Sequence, residues 1–141
     1  YDFNEIPNFI KFLEEGYDFV IGDRFHKMEK GAMPFTHKYL GNPVLSGILR
    51  ILFRTKVRDS HCGMRAITKE ALKKINLEST GMELASEMVI KATKNKLKIK
   101  QLPITYYPRK GDSKLKSIRD GLRHLKLMLN YYTLYRKSPS E

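Results

Sequence analysis

The sequence has no tryptophan, only one cysteine, and no apolar run long enough to cross a bilayer. Because a disulfide needs two thiols, Cys62 excludes an internal disulfide and favours a reducing compartment. His61 beside Cys62 lacks the spacing of a chelating pair, so no metal site is expected within this chain. A spanning helix needs about 20 apolar residues, and the longest candidate, residues 44–53, is interrupted by Arg50. Contact with a membrane is therefore expected from one side only.

Acidic residues are scarce beside basic ones: 15 Asp or Glu stand against 27 Lys or Arg, for a net charge of +12. This charge fits nucleic acid, anionic lipid headgroups or phosphate-bearing substrates as partners. Within residues 94–126, 11 Lys or Arg accompany only two Asp. A solvated basic face would give the same run, so charge alone does not choose a partner.

Helix and strand patterns alternate along the 141 residues, which predicts the α/β class. Hydrophobic residues make up 41% of the chain, enough for one globular core. No repeat or linker divides it, so residues 1–135 are expected to form one unit, followed by a polar tail at 136–141. The predicted elements are helices over residues 4–15, 42–53, 68–75, 82–95 and 115–135, strands over 17–22 and 97–104, a turn followed by a short strand within 59–67, and a loop over 25–39.

Two predicted helices carry apolar faces that bear on function. In helix 42–53, Asn42 is the expected cap, and Ser46 lies opposite the apolar face. A basic amphipathic helix of this kind suits a bilayer surface, although an ordinary core helix gives the same pattern. The last helix has an apolar stripe, expected to be core or an oligomer contact, that consists of Ile118, Leu122, Leu125, Leu129 and Tyr132.

Two short segments place charged residues beside predicted strands. Ligands of α/β folds gather beyond the carboxyl ends of strands, so Arg24 is a candidate for anion binding, with a surface ion pair to Asp23 as the alternative. Between Asp59 and Arg65 lie an acid, a His, a Gly and an Arg. Asp59 is the candidate catalytic residue, as a base or as a group that orients a reactant, and Arg65 is a candidate to hold substrate phosphate. A turn Asp and a paired Arg would look the same.

A basic loop precedes the last predicted helix. Arg109, Lys110 and Lys114 supply cations, Ser113 a hydroxyl, and Gly111 a backbone that a ligand approaches closely. With the N–H groups of the helix start, this combination suits a phosphate or diphosphate, and a plain basic loop is the alternative.

An ordered set of motifs extends over nearly the whole chain, up to about Tyr132. Each motif is weak singly, and the ordered set is specific. The motifs are Tyr1-Asp2-Phe3-Asn4-Glu5-Ile6-Pro7, Val20-Ile21-Gly22-Asp23-Arg24-Phe25, Met33-Pro34, Gly41-Asn42-Pro43, Asp59-Ser60-His61-Cys62-Gly63-Met64-Arg65, Gly81-Met82-Glu83-Leu84-Ala85-Ser86-Glu87-Met88 and the loop from Arg109 to Lys114. Together they resemble the dolichyl-phosphate mannosyl- and glucosyltransferases of glycosyltransferase family 2 and their bacterial and archaeal relatives.

The resemblance implies a GT-A fold and transfer of mannose or glucose, with inversion, from GDP-mannose or UDP-glucose to a polyprenyl or dolichyl phosphate. It implies a divalent cation, Mg²⁺ or Mn²⁺, and peripheral attachment to the cytoplasmic face of a membrane. Arg24 matches the Arg that opens the family's acceptor loop, and Asp59 matches an aspartate that acts at the acceptor. Arg109 and Lys114 match a loop that closes over the phosphates.

The match is incomplete at the start of the chain. The family's metal-binding Asp-x-Asp is expected just upstream of Tyr1, and Asp2 is not that motif. The chain therefore resembles the C-terminal part of a catalytic domain, with an incomplete sheet. The isolated 141 residues are expected to bind donor poorly and not to turn over.

The sequence also allows other site residues and other functions. Glu83 and Glu87, one helical turn apart, are further candidates for acid–base work, although a solvated helix face would place them similarly. A transferase with a hydroxyl acceptor is one alternative function. A basic nucleic-acid-binding module is another, although no nucleic-acid motif supports it.

Overall fold

A computed structural model describes residues 1–29, 41–108 and 117–137. Strands and helices alternate in these ranges, which confirms the predicted α/β class. The elements are a short 3-10 helix at Phe3–Glu5, helices α1 Ile6–Glu14, α2 Asn42–Phe53, α3 Lys69–Ile75, α4 Leu84–Lys94 and α5 Ser117–Lys137, and strands β1 Phe19–Met28, β2 Arg65–Ile67 and β3 Ile99–Tyr106.

The three strands form one mixed sheet in the order β2-β1-β3, which is consistent with the incomplete GT-A sheet expected above. The short strand β2 runs antiparallel to β1, with Phe19 opposite Ile67. Strand β3 runs parallel to β1, with Phe19 opposite Ile99. The first half of β1 is buried completely, as an apolar strand covered on both faces should be.

Strand β1 contains a bulge and extends further than predicted. Asp23 is opposite Pro103 and Lys27 is opposite Thr105, so residues 24–26 stand against Ile104 alone. The strand resumes after the bulge and pairs Met28 with Tyr106. The prediction of a loop from residue 25 was therefore wrong at its start, because pairing with a distant strand overrides the weak local pattern.

The core is formed where the sheet meets the helices. Helix α1 contacts β1 and β2, and α2, α4 and α5 contact one another. The core residues are fully or almost fully buried, and they are Phe9, Phe19, Val20, Ile21, Leu49, Phe53, Val57, Cys62, Val89, Ile90, Ala92, Ile104 and Met128.

Local signals located the helix starts better than the helix faces. Thr68, the first residue of the predicted helix over 68–75, caps α3 and accepts a hydrogen bond from the Ala71 N–H at 3.2 Å. Helix α2 begins at Asn42, but its N-cap is Gly41 and no side chain caps it. Ser46, predicted on the polar face of α2, is buried, because its hydroxyl contacts the Ser60 hydroxyl at 2.8 Å.

Most of the predicted apolar stripe of α5 lies outside the core, although Tyr132 at its end packs against it. Ile118, Leu122 and Leu129 are 82%, 62% and 51% exposed, whereas His124 and Met128 are buried. The buried face lies to one side of the stripe, because α5 packs on α2 and α4 through His124, Met128 and the tyrosines further along. The prediction that the stripe belongs to the core was therefore wrong for Ile118, Leu122 and Leu129. That the stripe contacts another copy of the chain stays a prediction.

Candidate functional site

Arg24 and Asp59, both predicted as site residues, form a buried ion pair. The Arg24 Nε donates to Asp59 Oδ2 at 2.7 Å, and Nη2 donates to Oδ1 at 2.8 Å. The backbone N–H of Arg24 adds a third hydrogen bond to Oδ2 at 3.1 Å. Arg24 is 6% exposed and Asp59 is 0% exposed. The alternative partner, Asp23, is instead 3.4 Å from His26.

The direction of the β1 backbone explains how Arg24 reaches Asp59. The N–H of Phe19 points to the Lys98 carbonyl on the β3 side, whereas the N–H of Gly22 points to the Met64 carbonyl on the β2 side. Since strand N–H groups alternate with a period of two, the N–H of Arg24 also faces the β2 side, where it meets the Asp59 carboxylate. Burial opposes the charge of Arg24, but the bonds to Asp59 more than compensate and raise its pKa. Both carboxylate oxygens are occupied by N–H donors, so the geometry favours an orienting role for Asp59 over proton abstraction.

Two tyrosine rings complete the surroundings of Arg24. The Arg24 guanidinium carbon lies 5.3 Å from the centre of the Tyr106 ring, within range of a cation–π contact. The rings of Tyr106 and Tyr1 are 5.2 Å apart, and the Tyr1 hydroxyl accepts a hydrogen bond from the Gly63 N–H at 2.8 Å. Burial raises the pKa of Tyr1 to about 12, so this hydroxyl is neutral. Tyr1 was not a predicted site residue, since no local signal links it to residue 24.

Arg65 braces the segment that carries Asp59. Its Nε donates to the Cys62 carbonyl at 2.7 Å and its Nη2 to the Ser60 carbonyl at 2.7 Å. Its Nη1 donates to the Ala85 carbonyl of α4 at 3.1 Å. Every guanidinium nitrogen therefore has a backbone acceptor, and these bonds fix the turn between β2 and Asp59. Binding of substrate phosphate by Arg65 stays a prediction.

The predicted acid–base pair divides into two different environments. Glu87 is buried, and although burial disfavours its charge, hydrogen bonds from Lys91 and from Ser79 and Glu78 lower its pKa to about 2. Its Oε1 lies 2.8 Å from Lys91 Nζ within α4. The backbone N–H groups of Glu78 and Ser79 donate to its two oxygens at 2.9 and 2.7 Å, so Glu87 links α4 to the segment before it, which does not favour a proton-transfer role. Glu83 keeps a buried Oε2 that has no hydrogen-bond partner among the described residues.

A buried polar chain connects three helices beside this site. The His61 and His124 rings are 4.5 Å apart, and Ser86 Oγ lies 2.8 Å from His124 Nδ1. Ser60 Oγ lies 3.1 Å from His61 Nδ1 and continues the chain to Ser46 on α2. Burial, then the neighbouring His124 and arginines, hold the pKa of His61 well below 6.5. No local sequence signal indicates this chain, because its members come from segments that are far apart in sequence.

The remaining predictions lie outside the described residues or find no support there. Arg109, Ser113 and Lys114 fall in the part of the chain that the structure does not describe, so their phosphate-binding role stays a prediction. Within residues 1–29, 41–108 and 117–137, no cluster of three or more His, Cys, Asp or Glu could hold a metal ion. Among the same residues, no helix is both long and apolar enough to cross a membrane.

Comparison with known proteins identifies relatives along most of the chain. No protein-family model matches it. The chain is 40% identical over 131 residues to the low-salt glycan biosynthesis hexosyltransferase Agl6 of Haloferax volcanii, which covers 92% of the chain and 32% of that relative. It is 34% identical over 124 residues to a dolichyl-phosphate hexose transferase of the same organism, covering 86% and 52%. It is 28% identical over 131 residues to a dolichol-phosphate mannosyltransferase of Pyrococcus furiosus, covering 89% and 37%. The chain thus spans about a third to a half of these curated relatives.

Proposed function

Because the chain belongs to the glycosyltransferases that include these archaeal hexosyltransferases, we propose that the protein transfers a hexose from a nucleotide sugar to a polyprenyl or dolichyl phosphate, with inversion. The names of two relatives specify dolichyl or dolichol phosphate. Mannose and glucose, from GDP-mannose or UDP-glucose, are the proposed sugars. The cytoplasmic face of a membrane is the proposed location, because the acceptor is a lipid and the chain carries a charge of +12.

The observation that supports this most directly is the fixed guanidinium of Arg24. Its Nε and Nη2 are held by Asp59, while its Nη1 makes no hydrogen bond to any described residue. A guanidinium oriented in advance binds a phosphate oxygen without a further loss of side-chain freedom. Arg24 also stands where the resemblance places the start of the acceptor segment.

The chemistry of a phosphate acceptor agrees with an Asp59 that orients rather than deprotonates. A phosphate monoester loses its second proton at a pKa of about 6, so it is already a nucleophilic anion at neutral pH. The harder task is to bring this anion to an anionic diphosphate donor, which requires cations held in place. We assign Arg24 to the phosphate of the acceptor. Arg109, Lys114 and Ser113 are the residues proposed to bind the diphosphate of the donor.

The proposed divalent cation rests on the resemblance alone. The described residues contain no set of ligands for it, and no step of the chemistry above is assigned to it. Glu83, whose buried Oε2 has no hydrogen-bond partner among the described residues, stays a candidate for acid–base work.

The test measures transfer of labelled hexose from GDP-mannose or UDP-glucose to polyprenyl phosphate, with Mg²⁺ or Mn²⁺, by the protein as its gene encodes it. Arg24→Lys keeps the positive charge but loses the two-pronged contact with Asp59. We expect KM for polyprenyl phosphate to rise about tenfold or more, with KM for the donor unchanged. Arg119→Lys, on the exposed surface of α5, is the matched control and should leave both constants unchanged.

Binding separates the competing classes of function. At about 150 mM salt, we expect the chain to bind anionic liposomes containing polyprenyl phosphate more tightly than single-stranded DNA. A preference for DNA would refute the proposal in favour of a nucleic-acid-binding module. Transfer to a sugar or lipid hydroxyl, but not to polyprenyl phosphate, would retain the transferase class and change its acceptor.

A further inference from the structure

A second cationic site lies where the last turns of α2, α4 and α5 meet. A cavity of about 310 Å³ opens there, and none of its lining residues belongs to the Arg24–Asp59 site. Its charged lining residues are Arg54, Lys94 and Arg136, one from each helix end. No carboxylate lines it among the described residues, and none of the three cations forms an ion pair with a described residue.

Helix ends explain only part of this charge. The carbonyl groups at a helix C-terminus carry about half a negative charge, which favours Lys and Arg nearby. Three such ends supply about 1.5 negative charges against three full positive charges. Counting the described residues, the cavity therefore keeps a surplus of about 1.5 positive charges, and a bound anion would neutralise it.

The apolar lining shows that the anion should carry a hydrocarbon part. Phe53 and Tyr132 pack edge to face with ring centres 6.5 Å apart, and Lys94 Nζ lies 5.0 Å from the centre of the Tyr135 ring. Ile51 lines the same cavity and is 79% exposed. A free inorganic anion gains nothing from Ile51, whereas the headgroup boundary of a bilayer contacts cations, tyrosines and aliphatic side chains together.

We propose that this cavity binds the phosphate headgroup of an anionic bilayer lipid, with Ile51 entering the acyl boundary. The lipid is distinct from the glycosyl acceptor, so the site goes beyond the proposed function. It attaches the C-terminal ends of α2, α4 and α5 to the membrane surface. The packing of Phe53 on α2 against Tyr132 on α5 holds these helix ends together, and the three cations therefore lie close to one another.

Vesicle binding tests this site with charge-matched variants. The vesicles contain phosphatidylcholine with or without phosphatidylglycerol, and no polyprenyl phosphate. The cavity variant neutralises the three lining cations: Arg54→Gln, Lys94→Gln and Arg136→Gln. The control variant removes the same charge from exposed lysines outside the cavity: Lys56→Gln, Lys69→Gln and Lys73→Gln. We expect the cavity variant to lose about tenfold or more of its partitioning into anionic vesicles, and the control about threefold or less, because attraction to the surface falls off within a Debye length.

A second pair of variants tests the apolar contact. Ile51→Ser should weaken partitioning several-fold, whereas Ile10→Ser, a half-exposed isoleucine on α1, should not change it. Circular dichroism checks that each variant is folded.

Three results would overturn the proposal. Equal losses in the cavity and control variants would show attraction by net charge alone. Displacement of the chain from vesicles by inorganic phosphate, at a concentration equal to that of the lipid headgroups, would show a site for soluble anions. An unchanged Ile51→Ser variant would remove the contact with the acyl boundary. Because no acceptor is present, none of these results depends on the transferase activity.

Discussion

Removal of one partner from the Arg24–Asp59 pair should destabilise the chain strongly. Arg24→Gln leaves a fully buried carboxylate without its two charged donors, and Asp59→Asn leaves a buried guanidinium without its acceptor. Two hydrogen bonds to a charged group contribute about 1.5–3 kcal/mol each, and breaking a buried ion pair costs about 3–5 kcal/mol. Both routes give about 4 kcal/mol, a large part of the about 5–15 kcal/mol that stabilises a typical domain.

Urea unfolding, followed by circular dichroism, measures this loss. With a slope of about 2 kcal/mol per molar urea, a loss of about 4 kcal/mol moves the midpoint by about 2 M. The double variant Arg24→Met with Asp59→Leu should recover most of it, because replacing both charges by apolar groups leaves neither one unpaired. Lys11→Gln is the control, since Lys11 and Glu15 form an exposed pair at 3.9 Å that contributes about 0.5 kcal/mol or less.

Two results would refute this reasoning. A loss below about 1 kcal/mol for either single variant would mean that the pair is hydrated in solution. A double variant that loses the sum of the two single losses would show that the two residues contribute independently.

The remaining predictions concern packing and pH. Gly22→Ala places a Cβ 2.7 Å from Ile104 Cδ1 and 2.9 Å from Cys62 Sγ, so we expect thermal unfolding to show a loss of stability of about 1–3 kcal/mol. Adding Ile104→Val, which removes Cδ1, should restore part of that stability. If the losses of the two single variants simply add in the double variant, this steric explanation is wrong. Burial lowers the pKa of both His61 and His124 below 6.5, so the unfolded chain binds protons that the folded chain does not, and stability should fall as the pH drops below about 6.5. The free energy of unfolding against pH measures this, and a slope unchanged in the double variant His61→Gln with His124→Gln would exclude these histidines as its cause.

Local sequence signals located elements because caps and periodic patterns act over a few residues. The alternation of elements identified the α/β class, and Thr68 marked the start of α3. The predicted strand over residues 17–22 identified the buried first half of β1, but the half beyond the bulge depends on pairing with β3. Such a pairing joins segments about 80 residues apart, and no local pattern contains it.

The site shows the same division. Arg24 and Asp59 were each predicted as site residues, but their pairing was not, because 35 residues separate them and Asp23 stood closer in sequence. Burial of Ser46 also escaped prediction, since a serine enters a core only where a distant hydroxyl, here Ser60, satisfies it. For α5, the most regular apolar stripe was not the buried face, because a helix that offers both a leucine stripe and a tyrosine face packs by whichever fits its neighbours.

The bulge in β1 has a consequence for how this strand tolerates changes in length. Between Asp23 and Lys27 the strand takes four steps, while β3 takes two steps from Pro103 to Thr105. The excess of two residues is even, and a strand repeats with a period of two, so the register of the paired backbone continues in phase beyond the bulge. Loss or gain of a single residue here would shift that register out of phase. A change by two residues would preserve the register and alter only the part of the strand that contains Arg24.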